Sequence, residues 1–366
     1  MTIAIDGSRA FLKQRTGIEE YSYQVIFHLR EELKEESVVI YIRSDQEIDF
    51  DLPEKWRVKQ LWAPRLWTQC RLSLEMLFSK TDILLVPAHT VPFIHPRNTI
   101  VVVHGLEYEF CPEAYSWFAR WYMRLSIWYS CKVAKTVICV SENTKKDVMR
   151  LYAVEQQKIV VFPEGYEKKH AEGSMSLKES FNGLVKTPYI LFIGRLEERK
   201  NIIRYIDAFD QCKEEYQTEH QLVLVGKWGY GCEYIRKRIQ KSRYRNDIVI
   251  CGYVTEEEKW QLLHQAEVFL FATLYEGFGI PVLEAQSMGV PVITSATSSL
   301  PEVAGEGAIL VDPMSILEIT EALQQIVSNK TFRDAIIAKG YENVKRFSWE
   351  QCAKDIAHLM KKNTTR

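Results

Sequence analysis

The chain has eight cysteines, and no two of them form a C-x-x-C pair. That spacing argues against a zinc site. Several, such as Cys139 and Cys251, lie inside apolar strand-like runs, so reduced, buried thiols in a cytosolic protein are expected. Net charge is nearly absent. Lys and Arg number 47 against 48 Asp and Glu, a balance of −1 that gives no bulk field to recruit nucleic acid or an acidic membrane. No apolar run approaches the ~20 residues that a membrane span needs. The opening Met-Thr-Ile-Ala-Ile-Asp goes straight into a strand pattern and does not read as a signal peptide. No G-x-G-x-x-G follows a strand either. Gly226-Lys-Trp-Gly-Tyr-Gly231 has the wrong spacing, which argues against a nicotinamide dehydrogenase.

What is present is a rhythm. Short apolar runs at 2–5, 38–42, 83–86, 100–103 and 137–140 read as strands, and amphipathic helical patterns fall at 18–34, 113–134 and 142–151. The alternation stops over 164–188, a polar stretch with Gly165, Gly173 and Gly183 that reads as a linker. It restarts with strands at 189–193, 222–225, 248–250, 268–271, 292–294 and 308–311, and a last amphipathic helix spans 349–360. With 366 residues, of which 46% are hydrophobic and 26% charged, the chain has room for two globular domains. The expected fold class is α/β: two doubly wound, Rossmann-like domains, 1–168 and 185–348, facing a central cleft. Ligands of such sheets bind beyond the carboxyl ends of the strands.

The most informative segment is Glu276-Gly-Phe-Gly-Ile-Pro-Val-Leu-Glu284. It follows a buried strand, turns on two glycines and places Pro281 where a helix starts. Free backbone N–H groups and the positive end of a helix dipole at such a turn suit a phosphate. Glu284 is expected in the first helical turn and Glu276 on the loop before it. As anions they would repel the phosphate, but they can accept hydrogen bonds from ribose and sugar hydroxyls. A nucleotide-sugar offers both hydroxyls and a diphosphate. Arg195 and Lys200 follow the strand 189–193 on one loop, where a forked guanidinium and an ammonium can hold a diphosphate.

This arrangement resembles the E-x7-E signature of retaining glycosyltransferases of the GT-B type, family 4. The run Gly194-Arg-Leu-Glu-Glu-Arg-Lys-Asn201 resembles that family's phosphate-clamping loop. Val140-Ser-Glu-Asn-Thr-Lys-Lys-Asp147 and Ser299-Leu-Pro-Glu-Val-Ala304 match further landmarks in the expected order. The resemblance implies the GT-B fold and transfer of a sugar from a nucleotide-diphosphate donor to a saccharide or lipid-linked acceptor hydroxyl. It also implies that Arg195 and Lys200 neutralise the leaving diphosphate in place of a metal, so that neither metal nor cofactor is expected. Glu276 and His104 would orient the sugar, although Gly105 stands where an aspartate often follows the histidine. Glu284 would bind ribose. Phe278, Gly279, Ile280, Lys227, Val254 and Gly17 would line the nucleotide, although Glu19 replaces a usual glycine two places after Gly17. In that family the last helix, 349–366, crosses back onto the first domain. The segments Ile3-Ala-Ile-Asp-Gly-Ser-Arg-Ala10 and Thr16-Gly-Ile18 resemble mannosyltransferases of surface-polysaccharide assembly. They suggest GDP-mannose, with UDP-glucose or a related donor as the alternative.

Asp49-Phe-Asp51 matches the D-x-D metal signature of another glycosyltransferase fold, but it lies in a polar segment and reads as a turn. The stretch 113–134 is rich in Trp, Tyr and Arg. Such a helix either packs within the N-terminal domain or rests on a membrane interface from the cytoplasmic side.

Overall fold

The computed structural model describes residues 1–63, 66–166, 181 and 183–364. Most of the expected linker, 167–180 together with residue 182, lies outside the described residues. The chain forms two compact units. Unit 1 comprises Met1–Glu109, Trp117–Gly165 and Phe347–Arg366; unit 2 comprises Phe110–Ser116 and Tyr166–Arg346.

Among the described residues of unit 1, seven strands form one sheet: β1 (Thr2–Asp6), β2 (Ser37–Arg43), β3 (Trp56–Leu61), β4 (Ile83–Val86), β5 (Asn98–Val103), β6 (Thr136–Cys139) and β7 (Ile159–Val161). Their order is β3-β2-β1-β4-β5-β6-β7, and every pairing is parallel. Central strands such as β4 and β6 are buried throughout, because helices cover both faces of a parallel sheet. The sequence reading missed the two edge strands, β3 and β7. β3 reads Trp-Arg-Val-Lys-Gln-Leu with its four middle residues exposed, so it carries no apolar run to betray it.

The helices of unit 1 are α1 (Gly17–Glu32), α2 (Ser73–Phe78), α3 (Glu107–Phe110), α4 (Trp117–Val133) and α5 (Glu142–Tyr152), with α13 (Trp349–Thr364) returning from the far end of the chain. The helix expected over 113–134 is a correction. Pro112–Ala114 form a separate 3-10 turn, extended backbone at Tyr115 breaks the path, and α4 begins at Trp117. The turn, with Cys111 and Ala114, packs against Tyr275 in unit 2. α13 lays a stripe of buried Trp349, Ala353, Ile356, Ala357 and Met360 toward α1. The Trp349 ring meets that of Tyr21 edge-on at 5.7 Å, and Lys361 donates to the Glu32 carbonyl at 3.0 Å.

Among its described residues, unit 2 repeats the architecture with six parallel strands: β8 (Tyr189–Ile193), β9 (Gln221–Val225), β10 (Ile248–Gly252), β11 (Val268–Phe271), β12 (Val292–Ser295) and β13 (Ala308–Val311). Their order is β10-β9-β8-β11-β12-β13. The helices are α6 (Ile202–Tyr216), α7 (Cys232–Lys241), α8 (Glu256–Gln265), α9 (Ile280–Ser287), α10 (Leu300–Ala304), α11 (Ile316–Ser328) and α12 (Lys330–Val344). In both units the strand order reverses in mid-sheet, between β1 and β4 and between β8 and β11. The loops leaving such adjacent strands diverge to opposite faces and open a crevice between them.

Gly165 seats the start of α13. A Cβ there would lie 2.2 Å from the Trp349 backbone nitrogen and 2.6 Å from its Cγ. Gly165→Ala is therefore expected to destabilise unit 1 by about 1–3 kcal/mol, the cost of overpacking a filled site. Gly17→Ala, where an added Cβ meets nothing within 4 Å, is expected to leave stability unchanged or raise it slightly. Urea unfolding of both variants checks the pair.

Candidate functional site

The loops after β8 and β11 carry Arg195, Lys200 and Glu276, and the Asn201 amide ties the first loop to the second. Asn201, in left-handed backbone with φ +65°, ends the β8 loop. Its Nδ2 donates to the Ala272 carbonyl at 2.9 Å and to the Pro313 carbonyl at 2.7 Å, and Leu274 N donates to the Arg199 carbonyl at 3.0 Å. Glu276 is fixed from its other side. Its N–H donates to Ser298 Oγ at 3.2 Å, and the Ser299 hydroxyl sits 2.9 Å from the Glu276 carbonyl and 2.7 Å from that of Phe278. The landmark 299–304 thus acts as the brace of the glycine turn. Gly279, at φ +121°, has no room for a Cβ, which would lie 2.7 Å from Leu300 Cδ2.

With both loops tied down, Lys200 Nζ meets Glu276 Oε1 in an ion pair, and Arg199 Nη1 reaches the same oxygen at 3.5 Å. Arg199 Nε also pairs with Glu197 at 2.7 Å. Lys200 is buried, and its ammonium stands 5.2 Å from the centre of the Phe271 ring. Burial by itself would raise the Glu276 pKa. The charges of Lys200 and Arg199 outweigh it and hold the carboxyl below its ordinary range. The sequence reading gave Arg199 no role; its contact with Glu276 exists only because the β11 loop folds back over it.

Glu284 does not join this cluster. α9 starts at Ile280 with Gly279 as its cap, so Glu284 is the fifth helical residue, one position further in than a start at Pro281 would place it. Val282 N donates to the Gly279 carbonyl at 3.0 Å within the turn. The Glu284 carboxylate pairs with Lys259 of α8 at 2.9 Å, and Lys259 also meets Glu256 at 2.9 Å. Burial disfavours the Lys259 charge, yet the two carboxylates push its pKa up. Nothing in the sequence pointed to Lys259, which lies on a different helix.

Arg195 is exposed, its aliphatic stem against Gly229, and its loop runs beside the one that carries Lys227. Leu196 N donates to the Lys227 carbonyl at 2.9 Å. The Lys227 ammonium lies 4.6 Å from the centre of the Tyr253 ring, next to half-buried Val254. Phe278 is buried in the turn and Ile280 begins α9.

His104 and Gly17 belong to unit 1. His104 is buried, with Nε2 at 2.8 Å from the Pro87 carbonyl and Nδ1 at 3.1 Å from Glu164 Oε1. The Pro87 carbonyl only accepts, so Nε2 carries a hydrogen. Both ring nitrogens are thus engaged by the protein, and a sugar would have to displace one of these partners to reach them. Gly17 is an exposed first residue of α1. Glu19, in place of the usual glycine, completes a capping box by accepting from Thr16 N at 3.2 Å. At the carboxyl ends of β1 and β4 stand two groups that the sequence reading passed over. Buried Asp6 has its carboxyl pushed up by desolvation, and burial, with His104 and Arg9 nearby, pushes His89 down to about 3. Asp49 and Asp51 form no pair: Asp49 lies 3.9 Å from Arg15, and Asp51 offers its carbonyl to Arg30 at 2.8 Å.

Two family models match the chain: Glycosyltransferase Family 4 over residues 16–169 and Glycosyl transferases group 1 over residues 176–343. The O-antigen chain mannosyltransferase B of Escherichia coli is 29% identical over 260 residues, which cover 70% of this chain and 68% of that protein. The O-antigen chain mannosyltransferase RfbU of Salmonella typhimurium is 25% identical over 303 residues, 80% of this chain and 78% of its own. Among solved structures, Anabaena HepE in complex with UDP and glucose matches with a TM-score of 0.77 at 16% identity, covering 99% of this chain and 100% of that one.

The depressed pKa of Glu276 fixes the sign of a pH effect. Its carboxylate contributes stability that is complete above the unfolded value of about 4.3 and is lost as pH falls through the folded value. Glu276→Gln leaves Lys200 and Arg199 without their partner and is expected to destabilise the protein at pH 7. The gap between wild type and variant should narrow once pH falls below the unfolded value of about 4.3 and close as pH falls through the depressed folded value, where the wild-type carboxyl is neutral as well. Unfolding curves across pH 3–8 measure it.

Proposed function

Because this chain is a GT-B glycosyltransferase of family 4, with a group 1 domain in its second half, we propose that it transfers mannose from GDP-mannose to a hydroxyl of a saccharide or lipid-linked saccharide, with retention of configuration and without a metal ion. The observation that carries this reading is the assembly of Lys200, Arg199 and Glu276 where the strand order of unit 2 reverses, with exposed Arg195 on the same loop as Lys200. Cations there neutralise charge as it grows on the leaving diphosphate. The C1–O bond to the diphosphate breaks and its electron pair stays on the phosphate oxygen. The acceptor oxygen bonds to C1 from the same face, and the leaving phosphate takes the acceptor's proton. Glu276 accepts hydrogen bonds from the transferred sugar. Glu284 accepts them from ribose once Lys259 shares it, and the Phe278–Ile280 turn, Lys227 and Val254 flank the nucleotide. Mannose is favoured over the glucose of a UDP donor because both O-antigen relatives are mannosyltransferases.

Unit 1 supplies a surface suited to the place where a lipid-linked acceptor is met. Along α4, Trp117, Trp121, Leu125 and Trp128 are exposed at positions i, i+4, i+8 and i+11, so they form one stripe; Trp117 is 79% exposed. Exposed Phe93 extends it through a 5.6 Å ring contact with Tyr129. Exposed Leu74, Leu77 and Phe78 of α2 extend it again, since Ser73 accepts the Phe93 and Ile94 N–H groups at 2.8 and 3.3 Å. α4 has no acidic residue and carries Arg120, Arg124 and Lys132; Glu109 pairs with both arginines, leaving a balance of three cations to one carboxylate. No described helix is long and apolar enough to cross a membrane. This face would lie on an anionic bilayer with its tryptophans at headgroup depth.

Turnover of GDP-mannose in chelator-treated buffer is expected to persist, and Arg195→Ala and Lys200→Ala are each expected to lower kcat by roughly a hundredfold. A thermal-shift panel of GDP, UDP and their sugar conjugates should single out GDP-mannose. A shift confined to UDP-glucose would replace the donor, and unchanged turnover in both variants would remove the diphosphate assignment. Flotation with phosphatidylglycerol-containing vesicles is expected to carry the wild-type protein upward and to leave Trp117→Ser/Trp121→Ser behind. Wild-type protein that stays at the bottom would refute the membrane contact.

A further inference from the structure

Two hydroxyls beside Glu276 are fully buried and have no hydrogen-bond partner: Tyr205 Oη and Thr273 Oγ1. Tyr205 is in the first turn of α6, directly after the Asn201 tether, and its ring packs on Phe192 at 5.6 Å. Phe192 stacks in turn on Phe271, the ring under the Lys200 ammonium. Thr273 lies between the end of β11 and Glu276, three residues before the carboxylate. Both hydroxyls sense that charge. The Tyr205 phenol is raised well above its ordinary range, first by burial and then by the Glu276 charge. The Thr273 hydroxyl lies close enough to favour the Glu276 carboxylate, without reaching hydrogen-bond geometry.

An orphaned hydroxyl in a protein interior costs free energy comparable to a lost hydrogen bond. Phe at 205 and Val at 273 would fill the same space without that cost. The resting arrangement shows why the hydroxyls have nothing to do: Lys200 and Arg199 both approach Oε1 of Glu276. A diphosphate binding at this loop competes for the same ammonium. Once Lys200 turns toward phosphate, the buried carboxylate loses its nearest cation and needs other donors to keep its charge and orientation.

We propose that Tyr205 and Thr273 are positioning residues for Glu276: without a hydrogen bond in the resting protein, they donate to its carboxylate when the donor diphosphate draws Lys200 away. The proposal rests on the diphosphate and sugar roles given to Lys200 and Glu276 above. It places the gain from the two hydrogen bonds in the loaded state, where it lowers the barrier rather than strengthening the resting fold. Tyr205 and Thr273 contact neither donor nor acceptor; they act through Glu276.

The test compares Tyr205→Phe, Thr273→Val and Thr273→Ser with Glu276→Gln, reading thermal midpoint, GDP affinity, and kcat and KM for GDP-mannose. Tyr205→Phe and Thr273→Val are expected to hold or raise the midpoint and to leave GDP affinity within about twofold, while kcat falls roughly tenfold in Tyr205→Phe, the loss of one hydrogen bond to a charged group. Thr273→Ser, which keeps the hydroxyl, should keep the rate. In the Glu276→Gln background Tyr205→Phe should cause no further loss, since the carboxylate it serves is gone. Wild-type kcat in both hydroxyl deletions, or losses that multiply with Glu276→Gln, would overturn the proposal. So would a lowered midpoint with kcat and GDP affinity falling together, the signature of plain packing damage. Wild-type turnover in Glu276→Gln alone would instead refute the sugar role of Glu276 on which the proposal rests.

Discussion

The candidate site depends on one primary amide. Asn201, on the loop after β8, places one N–H bond on the Ala272 carbonyl after the adjacent β11 and the other on the Pro313 carbonyl after β13. Both carbonyls are buried and need donors, and an amide is among the few side chains that supply two from one atom. Because the tether is short and planar, it sets the separation of the loops. Lys200 precedes it by one residue and Glu276 follows Ala272 by four, so the ion pair forms as a consequence of the clamp. Ser298 and Ser299 complete the restraint from the β12 side. The charged groups themselves have little freedom left to lose when a ligand arrives, which is what preorganisation requires.

The pairings across the site share a logic of economy. A buried ammonium and a buried carboxylate would each be costly alone. In the resting protein each neutralises the other: Lys200 with Glu276, and Lys259 with Glu284. Burying them together offsets much of the cost that either charge would carry alone. The same arrangement makes them exchangeable, because a ligand with phosphate and hydroxyl groups offers each partner a replacement. The orphaned hydroxyls of Tyr205 and Thr273 fit this pattern of a site arranged for its loaded state.

The chain path matters as much as the site. Unit 1 is closed by a helix from the C-terminus, whose stripe from Trp349 to Met360 buries against α1. Unit 2 in turn includes the short segment Phe110–Ser116, whose Phe110 ring stacks on Tyr275 at 4.5 Å. Tyr275 immediately precedes Glu276. A piece of chain from the first half of the sequence therefore supports the loop that carries the carboxylate.

Much of this was legible in the residues. Buried strands such as β4, β8 and β11 announce themselves as apolar runs, because parallel strands covered on both faces need apolar side chains on both. The glycine turn with Pro281, and the cationic loop ending in Asn201, marked the site because backbone geometry there admits few residue types. The edge strand β3 stayed hidden since one exposed flank removes the need for apolar residues. The partners were hidden for a different reason. Arg199 and Lys259 acquire their roles from contacts across 77 and 25 residues of sequence, with Glu276 and Glu284. His104 likewise finds both its ring partners, Pro87 and Glu164, only through the fold. Local propensity and motif spacing determine which elements form and where a ligand crevice opens. Which charge faces which, and which hydroxyl is left waiting, is decided only when strand order places distant loops side by side.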